Sequence, residues 1–273
     1  MVIGIGWVFS QIYGDGSILV FAVLFSTITS VISYWYSDKI VLSMHQAKPA
    51  TMKNAPELYR IVENLSITAG LPTPRIYIVP ERAPNAFATG RSPEHSVVAV
   101  TEGLLEKLDR SELEGVLAHE MSHIGNRDML VSTVAVVLAG FISLLSDMFL
   151  RSMRFGGGRR DNDRVGGAIM LVGFVLAILA PISASLIQLA ISRKRELLAD
   201  SSGALLTRYP EGLASALEKI SSDPTPLRTA NNTTAHLWLA DPYKGKKGMW
   251  LHKLFMTHPP VEERVRALKG MQV

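Results

Sequence analysis

Three apolar runs, residues 17–37, 131–150 and 165–192, limit what this chain can fold into more than any other feature. An α-helix needs ~20 apolar residues to cross a bilayer, and each run reaches that length. They are read as transmembrane helices. Residues 1–13 are apolar too, but Gly14-Asp15-Gly16 stops them short of a crossing, so a partial or re-entrant span is expected there. No basic segment precedes them, which argues against a cleavable signal peptide.

The charges give the first run a direction. No Lys or Arg precedes it, Tyr34, Trp35 and Tyr36 close it as interface anchors, and Lys39, Lys48 and Lys53 follow. The positive-inside rule then puts the following section in the cytoplasm. The loop 151–164 carries Arg151, Arg154, Arg159, Arg160 and Arg164 and opposes that orientation. The first complete span is taken to dominate. Pro181 is expected to kink the last run.

Two polar sections remain, 38–130 and 193–273. In the first, Leu58, Ile61, Val62 and Leu65 recur at helical spacing over 55–69, ahead of Gly70 and Pro72. Short strands are expected at 75–79, 85–89 and 96–101, and a helical turn at 103–108. Asn85-Ala86-Phe87-Ala88 is small and polar enough for an open sheet edge, where an extended peptide could add as a strand; an ordinary edge strand is the alternative. In the second section, helices are expected at 193–207, 214–221 and 261–268, with a long polar stretch over 228–250.

The chemistry is concentrated in His119-Glu120-Met121-Ser122-His123. On a helix, histidines at i and i+4 share one face, where two neutral imidazoles can hold one zinc ion. Glu120 beside them can deprotonate a water. Ser111 and Glu114 have the spacing of a capping box, and Leu113, Val116 and Leu117 continue at helical spacing, so the motif is expected on a helix that stops near Gly125-Asn126. The chain has no cysteine, so a metal must be held by His and carboxylate. An even number of spans returns the chain to the side of His123, where Glu196 and Asp200 stand one helical turn apart. One acid could ligate the metal while the other receives a ring N–H from a ligating histidine. The plain alternative is that both balance Arg193, Lys194 and Arg195. The formal charge of +4 is modest, and no nucleic-acid motif is visible, so lipid rather than nucleic acid is the expected partner of the basic residues.

Taken in order, the H-E-x-x-H of 119–123, the E-x-x-x-D of 196–200, Asn85-Ala86-Phe87-Ala88 and Thr257-His258-Pro259-Pro260 resemble the HtpX family of membrane-embedded zinc metallopeptidases, similar in their site to the CAAX prenyl proteases. The resemblance implies a membrane protein, mainly α with a small β-sheet, in which a gluzincin-like zincin domain is combined with transmembrane helices. It implies one Zn2+ per subunit on His119, His123 and Glu196, with Glu120 as general base and Asp200 as a supporting acid. Asn85, Ala86, Phe87 and Ala88 match the substrate-side strand. His258 matches a motif of open role, and His258 or Arg264 is a candidate for holding the oxyanion or the structure around it. The implied setting is the cytoplasmic face of the plasma membrane, in a multi-pass protein that cuts misfolded or damaged membrane proteins. A non-proteolytic zinc-containing membrane chaperone or adaptor is the rival, and three evident ligands rather than four favour catalysis. A transporter fits poorly, because Asp147 is nearly alone as an ionisable residue within the spans. The family usually opens with a complete span, and residues 1–13 depart from that pattern.

Overall fold

The computed structural model describes residues 6–7, 9–11, 14–130, 132, 193–229, 234–242 and 259–271. The run 165–192, the loop 151–164, all of the run 131–150 but Ser132, and His258 lie outside them. The chain divides into two compact units, Met1–Tyr36 with Val134–Leu186 and Ser37–Thr133 with Ile187–Val273.

In the first unit the described structure is chiefly the start of helix α1 (Gly16–Met44). Asp15 opens it by accepting the Ser17 N–H at 2.9 Å, satisfying one of the donors a helix start leaves over. The helix runs past Asp38 and Lys39, where the sequence led one to expect its end. Val20, Phe21, Leu24, Ile28 and Val31 are exposed along it. Among the described residues no helix is long and apolar enough to cross a membrane. Helix α1 comes nearest at 29 residues, and the side chains of Thr29, Ser30 and Ser33 in its middle lie outside the described set.

The second unit is built on a four-stranded sheet. Its strands are β1 (Lys48–Pro49), β2 (Arg75–Val79), β3 (Ala86–Gly90) and β4 (Ser96–Thr101), in the order β1-β2-β4-β3. Strand β2 runs parallel to β4, with Arg75 opposite Val97, and β3 runs antiparallel to β4, with Ala86 opposite Val100. The valines and isoleucines of β2 and β4 suit a pleated surface that is largely buried. Strand β3 is the last strand of the described sheet, as expected of an edge, but its five residues are buried rather than open, Leu239 pairs with its start, and it begins one residue later than expected. Asn85 is occupied instead as a clamp: its N–H donates to Thr101 Oγ1 at 2.9 Å, and its side-chain amide donates to Ala240 O and accepts the Ala240 N–H.

Helix α2 (Pro56–Ala69) turns Leu58, Ile61, Val62 and Leu65 inward and ends where Gly70 adopts a left-handed φ of 65°. The short α3 (Glu102–Lys107) is capped by Thr101, whose hydroxyl accepts the Leu104 N–H. Helix α4 (Arg110–Gly125) carries the histidine motif. Its capping box is Asp109 with Glu112, not Ser111 with Glu114: Asp109 Oδ1 accepts the Glu112 N–H and Glu112 Oε2 accepts the Asp109 N–H, each at 2.9 Å. The same x-x-E pattern occurs two residues earlier, and Ser111 donates to Asp109 rather than capping. Helices α5 (Arg193–Thr207), α6 (Pro210–Ser222) and α7 (Val261–Lys269) complete the unit.

Helix α4 is the central strut. It packs on α2, α5, α6 and the face of β3, and Val116, Leu117, Ala118 and Ile124 are sealed from solvent. Fully burying a side chain the size of Leu117 contributes about 1.5–3 kcal/mol. A polar tie reinforces the packing, because the buried Glu112 carboxylate accepts Ser215 Oγ at 2.6 Å and Lys219 Nζ at 2.7 Å from α6.

Candidate metal centre

Helix α4 delivers both histidines to one face, and α5 brings the carboxylate. His119 Nε2 and His123 Nε2 are 3.1 Å apart, Glu196 Oε2 lies 3.8 Å from the first, and Glu196 Oε1 lies 3.5 Å from the second. What allows this approach is Gly203. A Cβ there would sit 2.9 Å from the His119 backbone nitrogen and 3.1 Å from its Cα, so only glycine lets α5 lie this close to the residue that carries the first imidazole.

The donors fit zinc. Two imidazole nitrogens bound tetrahedrally at ~2.0–2.1 Å stand about 3.3 Å apart, and a carboxylate oxygen on the same ion lies at a similar distance. The imidazole nitrogens stand close to that separation at 3.1 Å, each has a different Glu196 oxygen at 3.5 or 3.8 Å, and one donor atom from each residue lies within 4.8 Å of the other two. No other such His, Cys, Asp or Glu group occurs among the described residues. Glu120 is buried next to the ligands and close enough for its charge to act on His123 and Arg264.

Behind the histidines stand two aspartates. His119 Nδ1 is 2.9 Å from Asp200 Oδ1, although the ring is turned enough that the contact falls short of a well-directed hydrogen bond. Asp200 is gripped in turn by Arg264 of α7, whose Nε donates to Oδ2 at 2.8 Å and Nη2 to Oδ1 at 2.7 Å, while Nη1 donates to Leu239 O. Arg264 is 1% exposed. His123 Nδ1 faces Asp128 Oδ2 at 3.2 Å, and Asp128 Oδ1 faces Arg195 Nη1 at 3.4 Å.

Electrostatics follow this layout. Burial drives the His119 imidazole down to about 4, against the pull of Asp200, so the ring is neutral at pH 7 with a nitrogen lone pair available to a metal. Burial pushes His123 the same way, but the Asp128 hydrogen bond and the charges of Glu196 and Glu120 overcome it and raise the ring to about 9. A metal binding at Nε2 displaces a proton there. Burial would raise the Asp200 carboxyl, yet Arg264 holds it at about 2, fully ionised.

The residues expected from sequence separate into two groups. His119, Glu120, His123, Glu196 and Asp200 converge, and Arg264 joins them through Asp200 and through Glu196 Oε2, 3.8 Å from its Nη1. Ala86 and Ala88 sit on the β3 edge, with Ala86 O accepting the Leu239 N–H at 3.0 Å. Phe87 turns to the other face, where its ring meets Trp238 at 4.8 Å and His45 at 5.6 Å. Asp128 and Gly203 are not marked by the sequence, and Arg195, read there as a counter-charge to Glu196 and Asp200, pairs with Asp128. Asp128 lies five residues after His123 and beyond the helix end, so no face periodicity marks it; Arg127, at a left-handed φ of 59°, turns the chain there.

Known proteins resemble this chain over nearly its whole length. Residues 52–272 match the model of Peptidase family M48. The chain is 50% identical over 267 residues to a Protease HtpX homolog of Syntrophobacter fumaroxidans, covering 97% of this chain and 93% of that protein. It is 51% identical over 272 residues to a Protease HtpX homolog of Pyrococcus furiosus, covering 98% and 90%. Among solved structures, the crystal structure of S. mikatae Ste24p superposes with a TM-score of 0.55 at 18% identity, which speaks for the fold alone. This chain is covered over 97% of its length and spans 62% of that one. With the donor set in place and this similarity extending over nearly the whole sequence, the chain belongs to peptidase family M48 and is a zinc metalloprotease.

Proposed function

We propose that the chain is a membrane-anchored endopeptidase that cuts misfolded or damaged membrane proteins at the cytoplasmic face, with zinc held by His119, His123 and Glu196. The observation that carries the reading is the donor count: three protein ligands leave a coordination position open, as a hydrolytic site requires, where a structural site would use four. For this reason the chaperone or adaptor reading finds no support. The apolar runs 17–37, 131–150 and 165–192 support the membrane setting, and α1 with its exposed apolar side chains is the first span.

Zinc, when bound, supplies Lewis acidity, polarising the scissile carbonyl and lowering the pKa of water to about 7. The chain supplies the rest. Glu120 takes a proton from the attacking water at its carboxylate and returns it to the leaving amine nitrogen. Asp200, 2.9 Å from His119 Nδ1, favours the tautomer that keeps the proton on Nδ1 and leaves Nε2 free for the metal; a small turn of the ring completes the hydrogen bond. Arg264 commits Nε and Nη2 to Asp200 and holds Nη1 3.8 Å from Glu196 Oε2, so it braces both acids, which favours its structural reading over an oxyanion role. An extended substrate pairs with the edge of β3 at Ala88, because the start of that edge is already engaged by Leu239 and main-chain groups two residues apart point the same way.

The test pairs metal analysis with product mapping on a membrane-protein substrate. Glu120→Gln is expected to retain zinc and lose about 10²–10⁴-fold in cleavage rate. Cleavage at the wild-type rate would remove Glu120 from the reaction, and a zinc-loaded wild type that binds such substrates without shortening them would favour the chaperone.

A further inference from the structure

We infer that Asp128 is a positioning residue for the second zinc ligand, and that Arg195 holds it there; the inference rests on the zinc-site reading above. An imidazole that gives Nε2 to a metal must carry its proton on Nδ1, and the ring swings about its own Cβ unless that proton has a fixed acceptor. For His123 the acceptor is Asp128 Oδ2 at 3.2 Å. The other oxygen of the same carboxylate meets Arg195 Nη1 at 3.4 Å.

The chain turns at Asn126-Arg127 after α4 and is helical again from Asp128. An acid suits that helix start, but the start does not dictate where the carboxylate points, and its two oxygens face His123 Nδ1 and Arg195 Nη1. The carbonyl oxygen of Asp128 accepts the Ser132 hydroxyl at 3.4 Å, so the backbone and the carboxylate of this residue are engaged separately. Arg195 immediately precedes Glu196, so the Asp128–Arg195 pair also ties the end of the histidine helix to the start of the helix that carries the third ligand. One carboxylate thereby sets the ring plane of His123 and the spacing between His123 and Glu196, now 3.5 Å.

The experiment measures zinc affinity of the full chain in detergent, by competition with a chromogenic chelator. It compares His123→Ala, Asp128→Ala, Asp128→Asn, Arg195→Gln and the Asp128→Ala/Arg195→Gln double variant. Asp128→Ala is expected to bind zinc about 10–100-fold more weakly. Asp128→Asn keeps an oxygen that accepts the ring N–H and recovers most of that loss. Arg195→Gln weakens binding several-fold alone and adds nothing on top of Asp128→Ala. The visible absorption of the cobalt(II)-substituted protein shifts in Asp128→Ala and returns toward wild type in Asp128→Asn, which a merely structural role would not produce. If His123→Ala still binds zinc tightly, the zinc-site reading itself fails. If His123→Ala loses zinc while Asp128→Ala matches wild type, the positioning role alone is overturned. Should Asp128→Ala not fold, wild-type affinity in Arg195→Gln overturns it instead.

Discussion

The two histidines of the site stand one turn apart on α4, yet they are held by surroundings of opposite character. His119 is sealed: its aspartate and the arginine behind it are nearly inaccessible, the Asp200–Arg264 pair is bidentate, and α5 lies against the His119 backbone through Gly203. His123 is 17% exposed, its aspartate pairs with one nitrogen of an arginine that is 36% exposed, and the contacts are longer. The difference teaches how the site divides its work. The His119 side is a fixed wall, where Asp200 and Arg264 are committed to each other and a change propagates into the core. The His123 side is a surface arrangement, where solvent offsets part of the fold stability lost with a partner, though not the fixed acceptor that orients the ring.

The sharpest way to break that contrast is to remove the buried arginine. Arg264→Ala leaves Asp200 charged and sealed without its cation, with only His119 beside it, and stripping one member from a buried pair costs about 3–5 kcal/mol. Arg195→Gln, at the exposed pair, is expected to cost less than about 1 kcal/mol of stability. Denaturant unfolding in detergent checks both. Equal losses would mean that the two sides are not built differently.

Gly203→Ala comes next. Its Cβ meets only backbone atoms, which cannot rotate away, so α5 must shift from α4 at the level of His119. A cost of about 1–3 kcal/mol is expected, as for other overpacked contacts, together with weaker zinc binding as Glu196 moves off the imidazoles. Thermal melts with and without chelator separate the two effects.

How much of this was legible in sequence depends on the range of the contacts. Helix α4 and its histidine face follow from local spacing, and helix α5 was expected over the residues it occupies. The capping box was misplaced because Asp109-x-x-Glu112 and Ser111-x-x-Glu114 share one pattern, and only the backbone geometry chooses. Arg264 lies on the inward face of α7 with Val265 and Leu268, and a charge on such a face was a readable sign of a buried partner, though not of which one. Trp238 passed as part of a polar stretch but is fully buried, because a short 3₁₀ turn carries no periodicity. The clamp from Asn85 to Ala240 joins residues 155 apart, beyond any local pattern.

Acid titration gives an effect of about 2 kcal/mol confined to the sealed side. The Asp200 carboxyl lies at about 2 in the folded chain, below its ordinary value of 3.8. A depressed carboxyl stabilises the fold above its unfolded pKa, and that contribution is lost as pH falls from about 4 through about 2. Unfolding free energies measured across this window should fall in the wild type and lose this component in Asp200→Asn. A variant with the full wild-type slope would show that the ionisation of Asp200 is not what Arg264 stabilises.

The smallest effect is expected at the other end of the same helix, and it separates tight packing from glycine content as the cause. Gly125, two residues after His123, would direct a Cβ at nothing closer than Leu71 Cδ1 at 3.5 Å, an ordinary van der Waals contact. Its φ is not positive, so alanine meets no backbone strain there. Replacing a helical glycine of this kind removes conformational freedom from the unfolded chain and raises stability by about 0.5–1 kcal/mol. Gly125→Ala should therefore melt slightly higher than wild type and bind zinc with the same affinity, whereas Gly203→Ala moves both in the opposite direction. A loss of zinc affinity in Gly125→Ala would mean that the His123 end of α4 is packed as tightly as the His119 end, and the division between a fixed wall and an adaptable surface would not hold.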